Sequence, residues 1–193
     1  MIQALFILLA YLLGSIPTGL LLGKAFGVDI RTTGSGNIGA TNVYRTMGKK
    51  LGILTLVGDC LKGLIPVLLA RYYGLPDMWV AILGLAAFLG HVYTIFLGFK
   101  GGKGVATALG VFLGVAPLAV LCAIFIFAVV LWHWRYVSLA SICAALAMPV
   151  FVAMLDQNVL IIAMTAIIST IVIHKHHDNI QRLRNGTENK FKG

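Results

Sequence analysis

The sequence is poor in charged residues, and acidic residues are the scarcest of them. Charged side chains make up 11% of the 193 residues, and only 6 residues are acidic. A soluble domain of ordinary composition carries roughly 25% charged residues. The apolar share of 60% and the mean hydropathy of +0.96 therefore exclude such a domain and indicate a protein whose solvent is lipid.

Cysteine is also scarce. Cys60, Cys122 and Cys143 all lie within apolar stretches. Their number is odd and their spacing matches no zinc-binding pattern, so we expect neither a disulfide framework nor a metal site.

Basic residues are in excess, with 15 Lys and Arg and a net charge of +9. A basic stripe on a soluble fold would point to nucleic acid. Here the basic residues lie between long apolar runs, which is typical of the cytoplasmic loops of membrane proteins. We expect contact with membrane lipid and no nucleic-acid partner.

Long apolar runs predict the membrane spans, because a helix needs about 20 apolar residues to cross a bilayer. The runs cover residues 2–22, 51–70, 78–97, 117–132, 136–154 and 158–173, with a shorter run at 105–116. The first run lacks the basic start and the small-residue cleavage pattern of a secretory signal, so we treat it as a helix.

The positive charges select the topology. If a turn at residues 114–117 separates two helices, thirteen of the fifteen basic residues fall on one side. They are Lys24, Arg31, Arg45, Lys49, Lys50, Lys100, Lys103, Arg135, Lys175, Arg182, Arg184, Lys190 and Lys192. We predict an all-α polytopic membrane protein, one domain over residues 1–193, with seven transmembrane helices, the N-terminus out and the C-terminus in. The run at 105–116 is short, so it needs residues 101–104 or local bilayer thinning to cross.

A loop of glycine and small polar residues follows the first run. Residues 33–45 read Thr-Gly-Ser-Gly-Asn-Ile-Gly-Ala-Thr-Asn-Val-Tyr-Arg. Glycine lets backbone amides converge, small polar side chains add donors, and the Arg45 guanidinium matches phosphate oxygens. We interpret this loop as an anion cradle, with a flexible connector as the alternative.

A second polar loop, residues 99–104, reads Phe-Lys-Gly-Gly-Lys-Gly and leads into the helix predicted from Val105. Free amides and the dipole at a helix N-terminus attract anions, and two lysines add charge. The spacing differs from that of a P-loop, so nucleotide hydrolysis is unsupported. The alternative is a basic turn that only anchors a helix.

The third polar segment follows the last span. His176 and Asn179 are three residues apart and share a helix face, while His177 points elsewhere. We interpret His176 and Asn179 as partners for a phosphate or a hydroxyl, and His174 and His177 as interfacial residues. A zinc site formed by the histidines is the less favoured alternative.

Polar and ionisable residues within membrane spans are energetically costly, so those in this sequence are expected to have a structural or functional role. Asp59 and Lys62 are one helical turn apart, and we predict a structural ion pair that helps to order nearby loops. His91 is equally compatible with a proton acceptor and with a hydrogen-bonded core residue. Ser138 and Ser141 share one face, where they either donate to an anion or bond back to their own helix.

The motifs together resemble the bacterial acyl-phosphate-dependent glycerol-3-phosphate acyltransferases, the PlsY family. The resemblance covers nearly the whole chain and rests on motifs that occur in order. They are Gly14-Ser15-Ile16-Pro17 with Gly19, residues 35–45, Asp59 with Lys62-Gly63, Gly90-His91 with residues 99–107, and His176, Asn179, Ile180, Arg182 and Leu183.

The resemblance implies an enzyme of the bacterial cytoplasmic (inner) membrane with its active site on the cytoplasmic side. It would move a fatty acyl group from acyl phosphate to the 1-hydroxyl of glycerol 3-phosphate, giving lysophosphatidic acid and phosphate for phospholipid synthesis. It needs no cofactor and no metal, and contact with other phospholipid-synthesis enzymes is left open.

Acyl phosphate has a good leaving group, so the enzyme must align groups and stabilise charge rather than supply a nucleophile. The His-x-x-x-x-Asp dyad of thioester-using glycerolipid acyltransferases is absent from the sequence. We assign Ser35, Asn37, Gly39, Thr41 and Asn42 to the acyl-phosphate cradle. The phosphate of glycerol 3-phosphate is assigned to Arg45, Gly101, Gly102, Lys103, His176 and Asn179, with Ser138 or Ser141. The hydroxyl proton goes to His91, to His176 or to a substrate phosphate oxygen.

Two other functions fit some of the same features. A small anion transporter or channel would use the basic loops to select phosphate, but it is expected to show broken helices in pairs and a midplane site. A scaffold would recruit anionic lipids through the basic tail.

Overall fold

The computed structural model describes residues 2–155 and 158–191, and within these ranges the chain is helical and contains no strand. The helices are α1 (Ile2–Ser15), α2 (Thr18–Ala25), α3 (Ala40–Met47), α4 (Lys49–Tyr72), α5 (Asp77–Val92), α6 (Val105–Val115), α7 (Pro117–Trp134), α8 (Val137–Leu155), α9 (Val159–His174) and α10 (His177–Arg184). A 3-10 turn, Ile95–Leu97, follows α5. The prediction of an all-α protein is confirmed.

Each predicted apolar run corresponds to helix in the structure. Four segments are long and apolar enough to cross a membrane: Lys49–Tyr72, Asp77–Leu97, Pro117–Trp134 and Val137–Leu155. Two bent helix pairs, α1 with α2 and α9 with α10, raise the number to six if each pair is one span. α6 is a shorter apolar helix, so the count of seven crossings and the orientation stay predictions.

The predicted turn at residues 114–117 is confirmed, because α6 ends at Val115 and α7 begins at Pro117. The first run differs from the expected single helix. α1 and α2 are bent by 43° at Ile16 and Pro17. Proline has no N–H to donate and disfavours helical geometry in the residue before it, which accounts for the break.

The contacts divide the chain into two compact units, the first ending at Val115 and the second beginning at Ala116. In the first unit, α4 packs against α3, α5 and α6, and α1 packs against α5. In the second unit, α8 packs against α7 and α9, and α10 contacts α8. The expectation of a single domain stays a prediction.

Glycine allows α4 and α6 to approach closely. A Cβ added at Gly110 would overlap the carbonyl oxygen of Cys60, and one added at Gly63 would overlap the carbonyl oxygen of Thr107. Small residues at such a contact let two backbones meet, which is how helices gain packing energy in lipid. The start of α6 is thereby fixed against the middle of α4.

Side chains satisfy the carbonyls that the break after α1 exposes. The Lys62 ammonium donates to the Ile16 carbonyl at 2.8 Å, and the Thr94 hydroxyl donates to the Ser15 carbonyl at 2.6 Å. An interrupted helix at membrane depth is tolerated where neighbouring groups bond the freed backbone. The first unit supplies those groups from α4 and from Thr94, which lies between α5 and the 3-10 turn.

The expected pairing of Asp59 with Lys62 is present. Lys62 Nζ lies 2.8 Å from Asp59 Oδ1, and the two side chains are 4% and 2% exposed. The pair is therefore almost wholly removed from solvent, and Lys62 serves both Asp59 and the broken end of α1.

Replacing Lys62 by Met should lower the free energy of unfolding by about 3–5 kcal/mol, because it leaves the buried Asp59 carboxylate without a partner. Denaturant titration in detergent micelles measures the change. The double variant Asp59→Asn with Lys62→Met is the control and should recover part of the loss, since no lone charge remains. A Lys62→Met variant as stable as the parent protein would contradict this account.

Candidate active site

The first glycine-rich loop, residues 33–39, is shaped by Asn42 and is called the cradle loop below. The Asn42 side chain is buried, its Oδ1 accepts from the Ser35 amide at 2.8 Å, and its Nδ2 donates to the carbonyls of Ile30 and Thr33 at 3.0 and 3.2 Å. These bonds engage both ends of the Asn42 amide. The side chain therefore holds the loop in shape.

The cradle loop uses some of its own amides. The Gly36 amide donates to the Thr33 carbonyl at 3.0 Å, and the Gly39 amide donates to Asn37 Oδ1 at 2.9 Å. With the Ser35 amide, which bonds to Asn42 in α3, three of the amides expected to converge on an anion already have acceptors within the protein. α3 starts directly afterwards, with Thr41 in its first turn and Arg45 in its last.

The second glycine-rich loop, residues 98–104, is called the lysine loop below. Its Gly101 and Gly102 amides donate to the carbonyls of Val92 and His91, each at 3.2 Å. The loop is thereby fixed to the end of α5. α6 begins at Val105, the residue after Gly104, as the sequence predicted.

Close contact requires glycine at the lysine loop. A Cβ on Gly101 would overlap the His91 carbonyl oxygen, and a Cβ on Gly102 would overlap His91 Nε2. Gly104 has a φ of +82°, where only glycine is relaxed, and its Cβ would overlap the Phe88 ring. The loop is thus seated on α5, and the half-buried Lys103 lies between two of these tightly packed glycines.

The two loops share a hydrophobic base in the first unit. Leu20, Ile30, Ile38 and Val43 form a buried cluster beneath the cradle loop and α3. Leu97, which directly precedes the lysine loop, packs against this cluster. Residues 33–45 and 98–104 therefore lie at the same end of the first unit.

His91 lies below the lysine loop. Its side chain is 4% exposed, and its Nδ1 is 3.8 Å from Asp59 Oδ1. The opposite edge of the ring lies against Gly102. Both ring nitrogens thus face protein groups.

The second unit contains a polar cluster around Glu188, a residue to which sequence reasoning gave no role. Glu188 Oε1 accepts from Ser138 Oγ at 2.8 Å and from Asn179 Nδ2 at 2.7 Å, and Glu188 Oε2 accepts from Arg182 Nε at 2.7 Å. Glu188 is the only glutamate in the sequence, which was the one signal available. Its partners lie six, nine and fifty residues away, and these separations follow no regular helical spacing.

Burial raises the pKa of the Glu188 carboxyl, but its hydrogen bonds lower it by more, so the pKa lies below the ordinary value of 4.5. The hydrogen bond from Arg182 is the largest of these favourable effects. The carboxylate is therefore charged at neutral pH and serves as the acceptor that three donors share.

Other predicted residues of the second unit are also placed. His176 is buried and its Nδ1 lies 2.7 Å from the Val172 carbonyl, while Ser141 Oγ donates to the Val137 carbonyl at 2.8 Å. Ser141 thus bonds back to its own helix, one of the two alternatives considered. Among residues 2–155 and 158–191, no group of three or more His, Cys, Asp or Glu is arranged to hold a metal ion.

The long apolar helices define this chain as a multi-pass membrane protein. A sequence model of the family described as "Glycerol-3-phosphate acyltransferase" matches residues 4–186. The glycerol-3-phosphate acyltransferase of Geotalea daltonii is 70% identical over 95% of this chain and 94% of its own. That of Aquifex aeolicus is 47% identical over 98% of this chain and all of its own.

A solved structure is similar throughout. The crystal structure of PlsY (YgiH), described as an integral membrane glycerol 3-phosphate acyltransferase in its glycerol 3-phosphate form, has a TM-score of 0.95. It is 44% identical and the match covers 100% of this chain and 96% of the other. The chain belongs to the glycerol-3-phosphate acyltransferase family, and it is an acyltransferase of phospholipid synthesis.

Replacing Glu188 by Gln should lower the unfolding temperature at neutral pH. The folded-state pKa lies below the unfolded value of 4.5, so the charge contributes stability above that pH and the contribution is lost as the pH falls through the folded value. The difference in unfolding temperature between the parent protein and the variant should therefore become smaller below about pH 4.5. Thermal unfolding in detergent at several pH values measures this difference.

Asp178→Asn is the matched control for the Glu188 variant. Asp178 is also acidic and lies in the first turn of α10, but its side chain is 64% exposed. Exposed charges contribute little to stability, so this variant should unfold close to the parent at every pH. Equal losses in the two variants would show that the Glu188 cluster has no special role.

Proposed function

We propose that the acyl donor is acyl phosphate and that the acceptor is the 1-hydroxyl of glycerol 3-phosphate, giving lysophosphatidic acid and inorganic phosphate. The observation that carries the proposal is the hydrophobic base that the cradle loop and the lysine loop share in the first unit. Each substrate would carry one phosphate, and each loop, with the helix that follows it, carries polar or charged side chains of its own. A related PlsY has been crystallised in a glycerol 3-phosphate form and in a lysophosphatidic acid form, which supports the acceptor and the product.

The cradle loop and α3 are proposed to hold the acyl phosphate. Ser35, Asn37, Gly39 and Thr41 line or directly follow the loop, and the first turn of α3 adds the positive end of a helix dipole. Asn42 belongs to this cradle as the residue that fixes its shape, because its amide is already bonded to the loop.

The lysine loop is proposed to hold glycerol 3-phosphate. Lys103 supplies the charge, Gly101 and Gly102 keep the loop against α5, and Arg45 at the end of α3 adds a planar donor for phosphate oxygens. A phosphate group carries charge that lysine and arginine compensate best away from bulk water.

The buried polar residues near the start of α10 are also proposed to bind substrate. His176 and Asn179 are buried residues at the start of α10 and are the proposed partners for a phosphate or a hydroxyl. Of the two serines, Ser138 is the better candidate, because its hydroxyl bonds to Glu188, the residue that also binds Asn179. The Ser141 hydroxyl is instead bonded back to its own helix.

In the proposed reaction the acceptor hydroxyl oxygen attacks the acyl carbonyl carbon, and the bond from that carbon to the phosphate oxygen breaks. The departing phosphate takes the hydroxyl proton. Both nitrogens of His91 face protein groups, which argues against His91 as the proton acceptor. The protein contributes by aligning the two substrates and by compensating the charge that develops on oxygen.

We also propose that the enzyme lies in the bacterial inner membrane with its active site facing the cytoplasm. The distribution of basic residues among the loops supports this orientation. Glycerol 3-phosphate is water-soluble, and an acyl chain belongs in the bilayer, so a site at the membrane face suits both.

Purified protein in detergent should convert acyl phosphate and glycerol 3-phosphate into lysophosphatidic acid, with one phosphate released per lysolipid formed. Acyl thioesters should give at least about 100-fold lower kcat/KM, because the cradle is proposed to recognise a phosphate. Mass spectrometry of the lysolipid and a phosphate assay measure both products. Equal use of the thioester would overturn the proposed donor.

Lys103→Ala should raise the KM for glycerol 3-phosphate by about tenfold or more, since it removes a charge from the proposed phosphate site. Lys100→Ala is the matched control, because it removes the same charge from an exposed position of the same loop. Steady-state kinetics with acyl phosphate held at saturation measures both variants. An unchanged KM in Lys103→Ala would remove Lys103 from the site.

A further inference from the structure

A buried cluster of three ionisable residues lies in the first unit, outside the loops proposed to bind substrate. It consists of Asp59, Lys62 and His91 and is called the buried triad below. Their side chains are 2%, 4% and 4% exposed. Ionisable residues within membrane helices are costly to bury and generally serve a function. Their mutual ion pair explains why Asp59 and Lys62 can be buried, but it does not explain the burial of His91.

The His91 ring lies between the ion pair and the lysine loop. On one side, Nδ1 is 3.8 Å from Asp59 Oδ1, which is beyond hydrogen-bond distance, and Nδ1 has no hydrogen-bond partner in the described part of the chain. On the other side, the Nε2 edge lies so close to Gly102 that a Cβ there would overlap it. The ring thus fills the space between α4 and the loop.

The facing carboxylate gives the ring a preferred orientation. A negative charge opposite Nδ1 favours the tautomer that carries its proton on that nitrogen, as in other carboxylate–histidine pairs. The Nε2 edge is then directed at Gly102. The His91 carbonyl accepts from the Gly102 amide, so the same residue contacts Gly102 through its ring and its backbone.

The triad also reaches the break between α1 and α2. Lys62 forms an ion pair with Asp59 and donates a hydrogen bond to the Ile16 carbonyl. Direct contacts therefore link the helix break to the ion pair, and the ion pair to the histidine ring. The ring in turn contacts the lysine loop.

We propose that His91 is a positioning residue for acyl transfer. Its ring, held by the Asp59–Lys62 pair, is the support on which the lysine loop rests, and it thereby sets the position of Lys103. This inference rests on the proposed role of the lysine loop in holding glycerol 3-phosphate.

A double-mutant cycle between His91 and Gly102 tests the proposal. Gly102 does not have a positive φ, so alanine is compatible with its backbone and the obstacle is the ring. Gly102→Ala and His91→Ala should each raise the KM for glycerol 3-phosphate about tenfold with kcat changed less than about threefold. With both changes, the KM should be no higher than in His91→Ala alone, because the added methyl group enters space that the ring has left.

Gly101→Ala is the matched control for this cycle. Its added Cβ would meet the backbone carbonyl of His91 rather than the ring. Removing the ring cannot relieve that overlap, so the effects of Gly101→Ala and His91→Ala on KM should multiply.

Two results would overturn the inference. One is a Gly102→Ala penalty that is the same with and without the His91 ring. The other is a His91→Ala variant in which kcat falls about 100-fold at unchanged KM, which is the behaviour of a proton acceptor. If Lys103→Ala leaves KM unchanged while the His91 and Gly102 variants behave as expected, the proposed role of Lys103 fails and the support of the loop by His91 stands.

A second variant keeps the test decisive if His91→Ala does not fold. Asparagine at position 91 keeps an amide donor near the place of Nδ1, facing Asp59, but it lacks the ring edge that meets Gly102. His91→Asn should therefore be monodisperse in detergent and should relieve Gly102→Ala in the same way. Persistence of the full Gly102→Ala defect in this background would contradict the proposal.

Discussion

The lack of water in lipid is the constraint on which the first unit depends, because every interrupted backbone must find its hydrogen-bond partners within the protein. The chain breaks its first helix at Pro17, and Lys62 bonds the carbonyl left at Ile16. A lysine at that depth then requires a counter-charge, which Asp59 supplies. The ion pair is therefore a consequence of the broken helix, and its position fixes what can pack on its other side, including His91.

The loops that carry the proposed chemistry are held by close contacts rather than by length or charge. Gly101 and Gly102 are needed because any side chain there would overlap His91. Asn42 bonds across the cradle loop with both ends of its amide. Such a site holds its donors in place before substrate arrives, which reduces the ordering that binding would otherwise require.

Sequence patterns were informative where the physical cause is local. The apolar runs predicted the helices, the turn before Pro117 was expected, and the spacing of Asp59 and Lys62 predicted their ion pair. Long-range contacts were not predictable in this way. The bend at Pro17 was missed because proline is also common within membrane helices. Glu188 was missed because its three donors, six to fifty residues away, follow no regular spacing.

Composition and periodicity by themselves determined that this protein is helical, lies in a membrane and has basic glycine loops, because those properties follow from the solvent that each segment prefers. Only the tertiary structure decided which glycine rests on which neighbour, which carbonyl Lys62 bonds and which donors share Glu188. Those choices depend on ångström-scale packing between segments far apart in the chain. A single sequence contains no local signal for such packing.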